Sequence, residues 1–148
     1  MSSIVVVCSE CNAKSRIPDM KQHLGPKCGK CKAALEIKEH VVPVQLTDAS
    51  MDSFIKSVKL PVLVDFFSPT CGPCSTLAPV LRNLSRKHFG RILVCTVDTS
   101  KNPGCAAFYK ITGVPTLIFF RNGEILEQLT GLPEVTLLES KIEYFAHS

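Results

Sequence analysis

The sequence predicts an α/β fold, with a mixed central sheet and helices on both faces, preceded by a small cysteine-rich module. From residue 44 onwards, short apolar runs alternate with segments of helical periodicity, the pattern of parallel strands joined by helical crossovers. Before that point the apolar runs are too small for a core, and four of the eight cysteines form two C-x-x-C pairs. We therefore expect two units, residues 1–40 and residues 41–148.

The elements of the larger unit follow from periodicity and from turn residues. Strands are predicted over residues 44–46, 61–67, 91–97, 116–120 and 124–129, the last two joined at Asn122-Gly123. Helices are predicted over residues 49–58, 71–88 and 103–110, and from Pro133 onwards. Thr47 or Asp48 is expected to cap the first helix. One face of the last helix is predicted to be buried and carries Val135, Leu138, Ile142 and Phe145.

Composition excludes several classes of protein. Apolar residues make up 45% of the chain and charged residues 20%, which is typical of a folded globular protein. Asp65 interrupts the most apolar run, residues 60–67, so no membrane span is expected. The apolar run at residues 4–7 is short and follows no basic residue, unlike a signal peptide. We expect a cytoplasmic protein without a membrane partner.

Cys71 and Cys74 form a C-x-x-C pair where a buried strand gives way to the longest predicted helix. Backbone N–H groups and the positive end of the helix dipole would face the Cys71 sulfur and favour its thiolate. Cys74, one helical turn later, would resolve a mixed disulfide formed at Cys71. Metal binding is the alternative for a lone C-x-x-C pair, but no second pair remains in this unit to complete a site.

The larger unit resembles thioredoxin over residues 44–148. The resemblance implies the thioredoxin fold and protein-disulfide reductase activity through the Cys71-Gly72-Pro73-Cys74 motif. It also implies two partners, disulfide-containing protein substrates and an NADPH-linked flavoprotein, thioredoxin reductase, and it requires no organic cofactor. The similar segments are Val64-Asp65-Phe66-Phe67, Thr70 to Cys74, Pro79, Gly113-Val114-Pro115-Thr116, Asn122-Gly123 and Gly131.

The same resemblance assigns two supporting groups. Pro115 is implied to follow a cis peptide bond and to face the cysteine pair, which would bring the Val114 backbone alongside a substrate strand. Asp65 is implied to be a buried carboxylate behind Cys74. A lone aspartate in an apolar strand is expected to have a raised pKa, so Asp65 is a candidate proton acceptor for Cys74. A purely structural carboxylate is the alternative.

The sequence departs from the thioredoxin pattern near the motif. Thioredoxins usually have tryptophan where Phe67 and Thr70 stand, and lysine where Ser75 and Val94 stand. Thr70 is expected to leave a shallower substrate groove, which puts recognition by the usual reductase in doubt. The loss of a basic neighbour at Val94 is expected to disfavour ionisation of Asp65 further.

The N-terminal cysteines Cys8, Cys11, Cys28 and Cys31 have the spacing of a Cys₄ zinc ribbon, with sixteen residues between the pairs. Four thiolates would close the coordination shell of one structural Zn²⁺. Gly25 and Gly29 are expected to supply the turns. Two additional redox pairs, or a disulfide-stapled module, are the alternatives.

The whole layout resembles the zinc-carrying, two-domain bacterial thioredoxins of the thioredoxin C type. That resemblance implies a redox-responsive zinc module and a role under oxidative stress. Nucleic acid is not expected as a partner because seven basic and four acidic residues, with four thiolates and Zn²⁺, leave the module near +1. The module also has no aromatic residue on which a base could stack.

Alternative functions remain open at this stage. The chain could be a zinc-dependent client-binding or chaperone module, or a disulfide oxidant or isomerase of thioredoxin fold. The Gly72-Pro73 pair favours the reducing members. Cys95 is expected to be a small buried hydrophobe, and Cys105 is given the same interpretation over a regulatory one.

Overall fold

The computed structural model describes residues 2–147. The N-terminal module is a two-stranded antiparallel sheet, β1 (Ser3–Val7) and β2 (Lys14–Pro18), followed by a 3-10 helix at Asp19–Leu24. A second short 3-10 helix, Lys38–His40, precedes the larger unit. A small apolar cluster centres on Ile4, Val6, Ile17, Ile37 and Val41, and Phe89 of the larger unit packs against it.

The larger unit contains a five-stranded mixed sheet with the order β3-β5-β4-β6-β7. The first three of these strands run parallel to one another, whereas β6 is antiparallel to both β4 and β7. This arrangement confirms the predicted mixed sheet. The strands are β3 (Val44–Leu46), β4 (Val62–Phe67), β5 (Leu93–Asp98), β6 (Thr116–Arg121) and β7 (Glu124–Thr130).

Four helices cover the two faces of the sheet: α1 (Met51–Ser57), α2 (Gly72–Lys87), α3 (Pro103–Phe108) and α4 (Val135–Ala146). Successive residues of a strand point to opposite faces, so Val64 packs towards α1 and α3 while Leu63 packs towards α2 and α4. Both layers of the core are therefore filled from the same central strands. Among residues 2–147, no helix combines the length and the hydropathy that a membrane span needs.

Three sequence predictions about these elements are wrong in detail. α1 begins at Met51, and Asp48 caps α3 instead, where its carboxylate accepts hydrogen bonds from the N–H groups of Gly104 and Cys105. Val135 is half exposed and lies outside the apolar face of α4. Cys105, by contrast, is buried as a small hydrophobe.

The module contacts the sheet edge at β3 through buried side chains. The Gln22 side chain donates to the carbonyl oxygen of Val42 and accepts from its N–H at 3.2 Å. The Asp19 carboxylate accepts from the N–H of Gln45 at 2.9 Å. Arg86 of α2 donates to the carbonyl of Val41 at 2.9 Å. These side chains satisfy backbone groups next to an edge strand that would otherwise lack partners.

Candidate active site and metal site

The Cys71–Cys74 pair lies at the junction of β4 and α2. β4 ends at Phe67 and α2 begins at Gly72, so Cys71 is the N-cap residue of the helix. Its Sγ accepts a hydrogen bond from the backbone N–H of Cys74, with an N–S distance of 3.2 Å. Pro73 lies in the first turn, where a missing N–H leaves no hydrogen bond unmade. This environment favours a thiolate at Cys71 once the pair is reduced.

The two sulfurs form a disulfide in this structure and differ in accessibility. Cys71 is partly exposed, whereas Cys74 is only 4% exposed. Gly72 and Pro73 between them are exposed. An approaching thiol or disulfide therefore meets Cys71 before Cys74.

The loop before β6 lies against Cys71. The carbonyl oxygen of Val114 is 3.6 Å from the Cys71 Sγ, although 43 residues separate them in the chain. The Val114–Pro115 peptide bond is cis, as the resemblance implied. The carbonyl oxygen of Pro115 accepts a hydrogen bond from the N–H of Gly131 at 2.9 Å, which ties this loop to the end of β7.

Asp65 lies in the middle of β4, beneath the motif. It is 2% exposed, and its Oδ1 has no hydrogen-bond partner in the structure. Burial raises the pKa of Asp65 to about 7, because desolvation penalises the charged carboxylate. Asp65 and Cys74 line the same cavity, whose volume is about 280 Å³. The structure thus brings the predicted proton acceptor and the predicted resolving thiol to one cavity.

The neighbour of Asp65 on the adjacent strand differs from the sequence prediction. Asp65 pairs with Thr96 of β5, and Thr96 lines the same cavity. Val94 pairs instead with Leu63 and is buried in the apolar layer beneath α2 and α4. The register between β4 and β5 places Thr96, and not Val94, opposite Asp65. A comparison of single motifs does not reveal this register.

The loop between β4 and Cys71 carries Thr70. This residue is exposed, and its hydroxyl lies 3.1 Å from that of Ser68. Ser75 donates to the carbonyl oxygen of Cys71 at 3.4 Å and is exposed on the first turns of α2. The motif is therefore flanked by small hydroxyl side chains, without a large aromatic ring.

The four N-terminal cysteines meet at one point. Their sulfur atoms all lie within 4.8 Å of one another, and the Cys8–Cys31 and Cys11–Cys28 pairs are each 3.6 Å apart. Sulfurs bound to a tetrahedral zinc ion at about 2.3 Å would lie about 3.8 Å apart. The donor set and its spacing therefore fit Zn²⁺. Cys8 and Cys28 are buried, whereas Cys31 is exposed.

The two halves of this site share one backbone pattern. The N–H of Cys8 donates to Ala13, and the N–H of Cys28 donates to Ala33, both at 2.8 Å. The residue after each second cysteine is left-handed, with φ of 63° at Asn12 and 65° at Lys32. Gly25 is also left-handed. Gly29 lies in the turn after Cys28 but has no positive φ, so the turn does not use the backbone freedom predicted for it.

Backbone hydrogen bonds favour the thiolate form of one of these cysteines. The backbone N–H groups of Cys31 and Lys30 both point at the Sγ of Cys28, at 3.5 and 3.3 Å. They lower the pKa of the Cys28 thiol to about 6. A thiolate is the form that binds a metal ion.

The remaining cysteines have environments unsuited to redox chemistry. Cys95 is buried in β5, and desolvation raises its pKa well above the ordinary value. Burial, together with the carboxylate of Asp48, raises the pKa of Cys105 to about 12. Neither thiol is readily ionised, as the sequence interpretation expects.

Sequence reasoning missed a polar network between the end of α2 and α4, in which His88 is the buried member. His88 is fully buried, and its Nδ1 lies 3.0 Å from a nitrogen of Arg91, which can only donate. Its Nε2 is therefore the protonated nitrogen and donates to Glu139 at 3.1 Å. Glu139 also pairs with Lys87 at 2.5 Å. His88 and Glu139 lie 51 residues apart, so no local motif could have revealed them.

A disulfide at a helix N-terminus, beside a cis-proline loop and above a mixed sheet, defines a thiol–disulfide oxidoreductase. The comparisons with known proteins make this more specific. Residues 42–144 match the family model described as Thioredoxin, and residues 7–33 match the model described as Thioredoxin 2, N-terminal, a zinc ribbon. The chain belongs to the thioredoxin family.

Individual relatives agree with this assignment. The chain is 40% identical to Thioredoxin M-type, chloroplastic, from Spinacia oleracea over 78% of its own length and 63% of that relative's length. It is 30% identical to Thioredoxin C-3 from Corynebacterium nephridii over 86% of both chains. A solved structure of a mutant thioredoxin from Halobacterium salinarum NRC-1 superposes with a TM-score of 0.65 at 32% identity, covering 71% of this chain and 91% of that one.

Proposed function

We propose that this protein reduces protein disulfides by dithiol–disulfide exchange at Cys71 and Cys74. The observation that carries the proposal is the asymmetry of the pair. The Cys71 sulfur is partly exposed and accepts an N–H at the start of α2, while Cys74 is buried beside Asp65. One sulfur is arranged to attack and the other to resolve.

The reaction begins with the reduced pair. The Cys71 thiolate attacks one sulfur of a substrate disulfide, forms a mixed disulfide and releases the first substrate thiolate. Asp65 accepts the proton of Cys74, and the Cys74 thiolate attacks the Cys71 sulfur. This second exchange releases the second substrate thiolate and leaves the Cys71–Cys74 disulfide. Two electrons pass from the protein to the substrate.

Substrate orientation is assigned to the loop containing Val114 and Pro115. The Val114 carbonyl, 3.6 Å from the Cys71 sulfur, is placed to pair with an extended substrate segment beside the motif. Thr70 and Gly72 form the exposed rim, together with Pro73. With threonine at this position, the groove is shallower than one walled by a large aromatic ring.

The oxidised pair must be reduced for another cycle. We assign that step to thioredoxin reductase, the NADPH-linked flavoprotein, acting on the accessible Cys71 sulfur. The cycle requires no organic cofactor on this chain. A reducing, cytoplasmic compartment suits both this cycle and the thiolates of the N-terminal site.

We assign residues 1–40 to a zinc module and residues 41–148 to the redox domain. Cys8, Cys11, Cys28 and Cys31 would hold one Zn²⁺, which would stabilise a segment that buries few apolar side chains. Four thiolates leave no open position for a substrate, so the ion would be structural or redox-responsive and would take no part in the exchange.

Reduction of insulin by dithiothreitol tests the proposal. We expect the wild-type protein to accelerate precipitation of the insulin B chain and Cys71→Ser to abolish the acceleration. Cys74→Ser, reduced beforehand and mixed with insulin in the absence of dithiothreitol, should accumulate a covalent adduct, because the mixed disulfide then lacks its resolving thiol. Activity that survives Cys71→Ser would rule out the assigned nucleophile.

A further inference from the structure

The cavity next to Asp65 extends away from the active-site surface towards the N-terminal module. Its volume is about 280 Å³, and one water molecule needs roughly 10–15 Å³ of such space. It therefore has room for several waters. Its lining is mixed, and the polar or ionisable members used below are Asp65, Cys74, Thr96, Arg82, Ser2 and Ser3.

Asp65 supplies an unpartnered polar atom to this space. The residue is only 2% exposed, and its Oδ1 receives no hydrogen bond from the protein. Buried polar atoms in folded proteins are normally paired with protein or with water. The Asp65 side chain lines the cavity, and its Oδ1 is given no protein donor.

Thr96 is placed to hold such a water. It lies directly opposite Asp65 in the parallel β4–β5 pairing, so both side chains project from the same face of the sheet. Thr96 is only partly buried and lines the cavity. Its hydroxyl can donate and accept at once, which a valine of the same shape cannot do.

The outer end of the cavity reaches solvent between two elements. Arg82 on α2 is exposed, and Ser2 and Ser3 at the start of the N-terminal module are partly exposed. Arg82 and Cys74 are the ionisable groups that face this space from α2. The groups from β5, β3 and the module are the neutral side chains of Thr96, Gln45, Ser2 and Ser3.

We propose that this cavity is a hydrated proton-exit channel for Asp65, in which the Thr96 hydroxyl positions the water nearest the carboxyl group. The inner end is at Asp65 and Cys74, and the outer end lies between Arg82 and the module's first residues. Thr96 is a positioning residue, since it acts through water. The proposal rests on the proposed function, because it concerns the proton that Cys74 loses.

The proton of Cys74 leaves the site in two transfers. The Cys74 thiol gives its proton to the Asp65 carboxylate, and the resulting thiolate displaces the substrate thiolate from Cys71. The neutral Asp65 then gives the proton to the adjacent water, which passes it outwards as hydronium. The carboxylate is restored, and no electron moves in this second transfer.

The test compares Thr96→Val with Thr96→Ser. The valine keeps the shape and removes the hydroxyl, so we expect resolution of the mixed disulfide near pH 7 to slow about fivefold, the factor that one ordinary hydrogen bond supplies. The serine should retain nearly the wild-type rate. In the reduced protein, the pKa of Asp65, followed by the ¹³C shift of its carboxyl carbon, should rise in the valine variant and not in the serine variant.

Two further variants keep the test decisive. Thr136→Val, on the exposed side of α4, controls for the general effect of this substitution and should change neither readout. Ala78→Leu enlarges a side chain in the cavity wall and leaves Thr96 in place, and it should also raise the pKa of Asp65 and slow resolution. If Thr96→Val does not fold, Ala78→Leu tests the proposal in its place.

A folded Thr96→Val protein with an unchanged carboxyl titration and an unchanged pH–rate profile would overturn the channel. A serine variant that behaves like the valine variant would overturn it as well. The carboxyl titration needs no substrate, so it separates this outcome from failure of the proposed function. If the wild-type protein did not reduce insulin, the proposed function would be refuted. The carboxyl titration would still report whether the Thr96 hydroxyl holds a water at Asp65.

Discussion

In the second cysteine pair of the metal site and in the redox motif, the first sulfur accepts a hydrogen bond from a backbone N–H three residues later. The N–S distance is 3.5 Å from Cys31 to Cys28 and 3.2 Å from Cys74 to Cys71. The two regions diverge at the next residue. Lys32 has a φ of 65° and turns the chain back, whereas the chain after Cys74 continues as α2.

The surroundings of the two regions diverge as well. In the N-terminal module the turn brings a second pair of thiols within 4.8 Å. In the redox domain the Cys71 sulfur meets the carbonyl of Val114, and Cys74 meets the cavity beside Asp65. The C-x-x-C spacing thus sets a local turn and its hydrogen bond. The groups that the fold brings to that turn decide between metal binding and disulfide exchange.

The largest expected effect comes from replacing one cysteine with serine, either in the metal site or in the redox motif. Apparent free energies of structural zinc binding are about 10–16 kcal/mol, so Cys28→Ser should lose the bound metal and protection of the module's amides. Insulin reduction should remain measurable. Cys71→Ser should show the reverse, with one zinc per chain and no reductase activity.

Native mass spectrometry, hydrogen exchange and the insulin assay on both variants check this pair. Wild type should carry one zinc ion per chain. A zinc-free wild type, or a Cys28→Ser protein that retains a full equivalent of metal, would contradict the assignment of the N-terminal site. Loss of zinc from Cys71→Ser would show that the two regions are not chemically separate.

A smaller effect is expected from Asp65→Asn, measured as stability against pH. The pKa of Asp65 in the folded protein is about 7, above the ordinary value of 3.8, so the folded state holds this proton more tightly. Its contribution to stability is present below about pH 4 and is lost as the pH rises through 7. Above pH 7 the asparagine variant should be more stable by up to about 4 kcal/mol, since one pKa unit corresponds to about 1.4 kcal/mol.

Urea denaturation of the reduced protein at pH 4, 6 and 8 measures this difference. The free energy of unfolding of wild type should fall relative to the variant between the first and last points. A constant difference across that range would mean that Asp65 titrates normally. The variant should also resolve mixed disulfides more slowly at pH 7. The N-terminal site is not expected to influence this rate.

The smallest effect concerns the contact between the two regions. Gln22→Ala removes the side chain that satisfies both backbone groups of Val42, and it should cost about 1–3 kcal/mol because those groups are left partly unpaired. Lys21→Ala, at the exposed position next to it, is the matched control and should change little. Faster amide exchange at Val42 in the first variant alone would confirm the contact, and equal behaviour of both variants would refute it.

Much of the fold could be predicted because the relevant signals are local. The alternation of apolar strands and amphipathic helices depends on neighbouring residues, and so β4 and α2 begin and end within about a residue of their predicted bounds. Asp48 shows where local reasoning fails. Its position before α1 is typical of a cap, yet its carboxylate accepts from Gly104 and Cys105, 56 and 57 residues later.

The candidate site shows the same division. The Cys71–Cys74 pair was predicted from spacing and helix context. Asp65 was implied by the resemblance to thioredoxin, and its place in an apolar strand predicted its raised pKa. The neighbour of Asp65 on β5 was predicted to be Val94, two residues before Thr96. That prediction was wrong because the register between β4 and β5 depends on how the sheet assembles. The left-handed residues Asn12 and Lys32 were likewise missed, because neither is a glycine.

The sequence by itself determined the class of the fold, the division of the cysteines into a quartet and a pair, and the likeness to thioredoxin. The first two properties depend on spacing and periodicity along the chain, and the third depends on the similarity of individual motifs. Only the tertiary structure decided that Thr96 meets Asp65 and that His88 meets Glu139. The physical reason is that burial and pairing between distant segments set the charge and solvent around each group, and no local pattern encodes them.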